Sequence, residues 1–359
     1  MFMGFRGFKS WITSLVSSQG PDHHAGLLYE AIREENLPEV IEQVQHVSSI
    51  NYQYKGWTFL MVCARNNTSR DIADVLIRQG ADCSLSNSHG YTAFMCACLD
   101  RDRHAPVMQA LLELYSRTSS FYFLKSRTDL NVKNSYGNTA LMEAVDEDSP
   151  RCADMLLRAG ADWKLKDDDG WTICMLSCVK RDARVACLRA LMRNLPRSER
   201  RDMVEMKNPA GHSSLMIAVL EESPDCADWL LRAGADWSLT YSDGWTMFMK
   251  ACIDKDSRVD LLRTLLRHIP PAQRRDLVLD VKNPAGNTAL MIAVLEGSPV
   301  CVRLLLAAGA VREGTYTEPP YRDMTVMEVA RSIGNTEVRA EFLNQGNSSP
   351  FPSLRKSRS

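Results

Sequence analysis

The segment GNTALM occupies residues 137–142 and recurs without change at residues 286–291. Six identical residues so far apart mark either repeated chemistry or repeated architecture, and aligning the chain on the glycine decides between them. Related starts occur at Gly56 (GWTFLM), Gly90 (GYTAFM), Gly170 (GWTICM), Gly211 (GHSSLM) and Gly244 (GWTMFM). Successive starts lie 34, 47, 33, 41, 33 and 42 residues apart, so short units alternate with long ones. A period near 33 is the mark of a solenoid array, whose units each bury a face only against their neighbours.

One short unit, residues 137–169, shows how the pattern is built. Gly137 suits a turn position with positive φ, and Thr139 is placed to cap the helix that begins at Ala140-Leu141-Met142. Ser149-Pro150 then starts a second helix, CADMLLRAG, which Gly160 ends as a left-handed C-cap. The extended stretch ADWKLKDDDG leads to the next turn.

GNTALMEAV, followed by a second helix and LLRAGAD, resembles the ankyrin repeat, over roughly residues 25–345. Residues 27–44 resemble the first helix pair of such an array and residues 324–343 a closing cap. The resemblance implies an all-α solenoid of stacked helix-turn-helix units, with turn tips and first helices lining a concave surface. It also implies non-catalytic protein recognition. Residues 1–24 are then an amphipathic or flexible leader, and residues 346–359 a disordered basic tail.

Two features depart from the family pattern. Where the family carries His after the first-helix Leu, all seven units carry Met: Met61, Met95, Met142, Met175, Met216, Met249 and Met291. Methionine fills irregular apolar space, so this row is expected in the core. The long units carry eight or nine extra residues, as in LMRNLPRSERRDMVEMKNPAG and LLRHIPPAQRRDLVLDVKNPAG.

Composition narrows the function classes. With 43 basic and 44 acidic residues the net charge is -1, which gives no global reason for nucleic acid as a partner. No phosphate-binding loop, dinucleotide fingerprint, metalloprotease helix or nucleophile elbow occurs, so neither catalytic residue nor cofactor is expected. The eleven cysteines lack metal-ligand spacing and suit a reduced, cytoplasmic compartment. Cys98, Cys178 and Cys252 fall at one repeat position and Cys152, Cys226 and Cys301 at another, as packing residues do. His23-His24 reads as a solvated loop pair rather than a metal site.

Candidate binding residues come from the turn tips and the inserts. The residue after the turn glycine is aromatic at Trp57, Tyr91, Trp171 and Trp245, and polar at Asn138, His212 and Asn287. The resemblance implies that this position touches partners, and Trp and Tyr are enriched in binding hot spots. Packing on the neighbouring turn is the competing reading. Trp163 and Trp237 stand where a residue packs between units. Arg200, Arg201, Arg274 and Arg275 in the inserts would form a basic edge for an acidic or phosphorylated partner, or supply ion pairs between units. Asp146, Glu147, Asp148, Glu221, Glu222 and Glu296, near the first-helix ends, would greet a basic peptide or simply be solvated.

The expected function is a scaffold or adaptor that binds a protein partner. Two alternatives stay open: a substrate-recruiting adaptor of an enzyme complex such as a ubiquitin ligase, and a scaffold tethered to a membrane through residues 1–16. That segment, MFMGFRGFKSWITSLV, fits an interfacial anchor and equally a helix packed on the first repeat.

Overall fold

The computed structural model describes residues 22–66, 69–119, 129–270, 273 and 279–343. The chain divides at Asp169 and Gly170 into two compact units.

In the first unit, α1 (Asp22–Arg33) and α2 (Leu37–Gln43) form the opening pair. A two-residue hairpin, β1 (Gln53–Tyr54) and β2 (Trp57–Thr58), turns around Lys55 and Gly56, both with positive φ as its tight turn requires. Three helix pairs come next: α3 (Phe59–Arg65) with α4 (Arg70–Arg78), α5 (Ala93–Cys96) with α6 (Ala105–Ser119), and α7 (Ala140–Asp146) with α8 (Pro150–Arg158). First helices stack on first helices and second on second, enclosing Phe59 and Phe94 completely. Each such ring contributes about 1.5–3 kcal/mol by leaving water.

The second unit repeats the plan. Its first helices are α9 (Ile173–Leu176), α12 (Ser214–Leu220), α14 (Met247–Lys250), α16 (Ala289–Leu295) and α18 (Val326–Ser332). Its second helices are α10 (Val185–Asn194), α13 (Pro224–Arg232), α15 (Val259–His268), α17 (Pro299–Ala307) and α19 (Thr336–Leu343). The insert after α10 forms one more helix, α11 (Arg197–Glu205), whose own Met203 and Val204 are buried.

The seven hydroxyls placed to cap first helices do so. Thr58, Thr92, Thr139, Thr172, Ser213, Thr246 and Thr288 each accept the N–H of the methionine three residues on, at 3.2–3.4 Å. The methionines are all buried, as expected. Two of them add a polar role: Met142 and Met249 Sδ accept the N–H of Thr139 and Thr246 at 3.5 Å, closing a reciprocal cap. Gly160 ends α8 as the sequence implies, with Ala161 N–H donating to Leu156 O at 3.0 Å.

The long units differ from the short ones in a way the sequence hid. Their first helices α5, α9 and α14 last a single turn. After α5 the chain passes through a left-handed turn at Asp100, Arg101 and Asp102, with φ of 61°, 49° and 57°. After α9 it does so at Lys180, Arg181 and Asp182, with φ of 65°, 47° and 59°. Such residues cost about 1–2 kcal/mol each. The turn aims Asp102 at the start of α8, where it accepts the N–H groups of Arg151 and Cys152 at 2.9 and 3.0 Å. Asp182 does the same for Asp225 and Cys226 at the start of α13.

Ser149 therefore starts its helix without capping it. Its hydroxyl donates to Cys98 O at 2.8 Å and accepts Asp102 N–H at 2.9 Å. Ser223 is spent likewise on Cys178 O and Asp182 N–H. Only at α17 does the serine cap its own helix, Ser298 Oγ accepting Cys301 N–H at 3.2 Å.

Other expectations fare unevenly. All eleven cysteines are buried thiols. Trp163 is core, whereas Trp237 is half-buried. His23 and His24 are not a loop pair: α1 starts at Asp22, three residues before the expected edge of the array, and includes both. His24 Nδ1 lies 3.0 Å from Gln43 Oε1, its ring 5.1 Å from that of His46. Ion pairs form between repeats, among them Arg70 with Glu113 at 2.5 Å and Arg258 with Glu222 at 3.0 Å.

Candidate partner-binding turn tips

Four of the seven tips, those at Gly90, Gly137, Gly211 and Gly286, are built from an asparagine whose role the sequence did not announce. Asn87, Asn134, Asn208 and Asn283 stand three residues before the turn glycine and are all buried. Their side-chain oxygens accept the N–H of the residue after that glycine: Tyr91, Asn138, His212 and Asn287, at 2.9–3.0 Å. Each glycine N–H in turn donates to the asparagine carbonyl. The tip residue is thus held by a side chain that reproduces a backbone turn. The recurrence of Asn-x-x-Gly in NSHG, NSYG and NPAG was the available signal.

The four expected aromatics are all half-buried, so neither competing reading describes them alone. The Trp57 ring lies 4.8 Å from the Arg65 guanidinium carbon, a cation over an aromatic face. Trp57 and Arg65 line a cavity of about 360 Å³ together with Tyr29, Arg33, Val62 and Asn66. Among the described residues Arg65 makes no ion pair, while Arg33 meets Glu30 at 3.1 Å. Lys55 Nζ sits 5.2 Å from the rings of both Tyr29 and Tyr54.

Tyr91 faces inward, its hydroxyl donating to Glu143 Oε1 at 3.4 Å. The same oxygen accepts Asn134 Nδ2 at 2.8 Å and Asn138 Nδ2 at 3.1 Å. Burial pushes the Glu143 carboxyl above its ordinary range, against the pull of the two amides. Burial first, and then the Glu143 charge, push the Tyr91 phenol up to about 12. This tip is a structural polar network.

Trp245 carries Lys250 Nζ 4.8 Å from its ring, and that ammonium pairs with Asp243 at 2.7 Å. Burial works to raise the Asp243 carboxyl, but the Lys250 ammonium and the Trp245 N–H outweigh it and hold it below its usual value. A second cavity, of about 460 Å³, opens beside this indole. Trp171 holds the equivalent place in its repeat.

Of the insert arginines, Arg200 turns back on its own chain, Nε donating to Leu195 O at 2.8 Å. Arg201 is exposed and pairs with Glu205 at 2.9 Å. Arg274 and Arg275 lie outside the described residues. Among the described residues no group of His, Cys, Asp or Glu is arranged to hold a metal ion, and no helix is long and apolar enough to cross a membrane.

The family model for ankyrin repeats (3 copies) matches residues 28–121, 60–167, 144–241 and 215–313. The chain is similar to the nuclear factor NF-kappa-B p105 subunit of Rattus norvegicus, 30% identical over 146 residues, which are 41% of this chain and 14% of the relative. It is similar to the NF-kappa-B inhibitor epsilon of Homo sapiens, 32% identical over 111 residues, 30% of this chain and 22% of the relative. To protein glp-1 of Caenorhabditis elegans it is 27% identical over 240 residues, 64% of this chain and 17% of the relative. The matched region is thus a small part of each relative's length.

Proposed function

Because the chain belongs to the ankyrin-repeat family, we propose that it is a non-catalytic recognition protein that seats a partner protein against its turn tips. The observation that carries this reading is the pair of cavities beside Trp57 and Trp245, one in each unit, the first shared with the helix pair before Trp57 and the second with the repeat after Trp245. Each offers a half-buried indole, the side chain best suited to anchor a partner, in a concavity rather than on a flat face. That one relative is by name an inhibitor of another protein, NF-kappa-B, agrees with a role exercised by binding. Eleven buried thiols suit action in the reducing cytoplasm.

The test is affinity capture with mass spectrometry from the source cells, comparing the wild type with a variant in which Trp57, Trp171 and Trp245 are all changed to Ala. Circular dichroism first establishes that the variant is folded. A discrete set of proteins lost by the variant is the expected result. An unchanged set places recognition elsewhere and overturns the reading.

A further inference from the structure

The two copies of GNTALM diverge at the very next residue, Glu143 in one and Ile292 in the other. In the first copy the Glu143 carboxylate accepts the side-chain N–H of Asn138 at 3.1 Å. In the second, Ile292 stands in its place and is buried. Independently of that exchange, since a carboxylate could not pair with it, the Asn287 side-chain oxygen is closed to solvent and has no hydrogen-bond partner among the described residues. A buried acceptor left without a donor costs about 1–3 kcal/mol, and native structures rarely carry one without a use.

This amide lines the cavity beside Trp245, whose apolar lining includes Ile292 and Leu295 and whose rim carries Asp243, Glu296 and Glu318. Lys250 neutralises Asp243. Among the described residues, Glu296 and Glu318 make no ion pair. The cavity therefore offers an apolar wall, an indole, the Asn287 side chain and two carboxylates that form no ion pair among the described residues. The corresponding cavity beside Trp57 has the opposite character, with Arg33 and Arg65 in its lining.

We propose that the Trp245 cavity is a subsite for one arginine or lysine side chain of a basic segment of the partner protein. The methylenes lie along Ile292 and Leu295, and the cationic head meets the indole, Glu296 and Glu318. This assignment rests on the recognition reading above and adds the chemistry of the ligand.

Selection from a random twelve-residue peptide display library on the full chain tests it. The expected outcome is enrichment of arginine- or lysine-bearing peptides. Their binding, measured by fluorescence anisotropy, should weaken about tenfold or more when Glu296→Gln and Glu318→Gln are combined, and weaken similarly when the peptide's cationic residue is replaced by citrulline or norleucine. Both substituted positions line the cavity, and Asp71→Asn, on the exposed face of α4, should bind these peptides as the wild type does. Enrichment of acidic or purely apolar peptides, or equal binding by the double variant, overturns the cationic subsite while leaving protein recognition standing. Displacement of every selected peptide by millimolar spermidine would assign the cavity to small polyamines and overturn the peptide assignment. A library that yields no binder at all removes both readings.

Discussion

The carboxylate of Asp102 caps a helix that belongs to the next repeat: its Oδ1 accepts the N–H of Cys152, 50 residues further along the chain, at 3.0 Å. Asp182 and Cys226 repeat the relationship at 2.8 Å in the second unit. A cap worth about 1 kcal/mol within one helix here also couples two repeats, so its loss is felt at an interface.

Asp102→Ala and Asp182→Ala should each lower stability by about 1–2 kcal/mol, read as a fall in the urea midpoint. Asp→Asn at the same positions should cost less, because the amide keeps one acceptor and asparagine tolerates the left-handed backbone. Equal losses for Ala and Asn would mean that the turn, rather than the cap, sets the cost.

Glu143→Gln should stabilise the protein more as pH rises. The folded carboxyl titrates above its ordinary value because it is buried. Both states are protonated at low pH, where the penalty is absent. It grows once the pH passes the unfolded carboxyl's range and is complete above the folded value. The glutamine keeps an acceptor for Asn134 and Asn138, and it should also lower the Tyr91 phenol from about 12. Denaturation midpoints at a series of pH values check the first point and spectroscopic titration of the tyrosines the second.

Two glycines at one repeat position separate strain from crowding. Gly137 and Gly211 have φ of 78° and 79°, yet a Cβ on Gly137 would lie 2.5 Å from the Asp168 backbone nitrogen, whereas one on Gly211 meets nothing within 4 Å. Gly211→Ala should cost the backbone term alone, about 1–2 kcal/mol. Gly137→Ala should add an overpacking cost of about 1–3 kcal/mol. Thermal denaturation of the two variants should show the larger drop for Gly137→Ala.

The cysteines should be silent toward thiol reagents until the chain unfolds. Burial pushes the Cys96 and Cys174 thiols up to about 12 and Cys98 well above its ordinary value. For these three neither thiolate nor access is then available in the folded state, and Cys301, whose thiol is held lower by its hydrogen bond with Cys252, is still shut away by burial. Native chain mixed with a chromogenic disulfide at neutral pH should release almost no chromophore, and unfolded chain should release the equivalent of all eleven thiols. Rapid labelling of Cys178 or Cys252 without unfolding would contradict their place in the core.

Gly137, Thr139 and Pro150 alone determine the turn, the first-helix cap and the start of the second helix, because these choices are local: each depends on φ, a hydroxyl or a ring within a few residues. The period near 33 determined the repeat, and the row of seven methionines its buried seam. What the sequence could not show is which distant group meets which. Asp102 is one acid among many until a left-handed turn aims it at Cys152, and Ser149 looks like a cap until that aspartate displaces it. Tyr91 reads as a bare anchor at a turn tip until its hydroxyl meets Glu143 of the next repeat, 52 residues away. Such differences arise from stacking: a side chain's partner in a repeat array comes from the neighbouring repeat, and only the folded chain brings the two together.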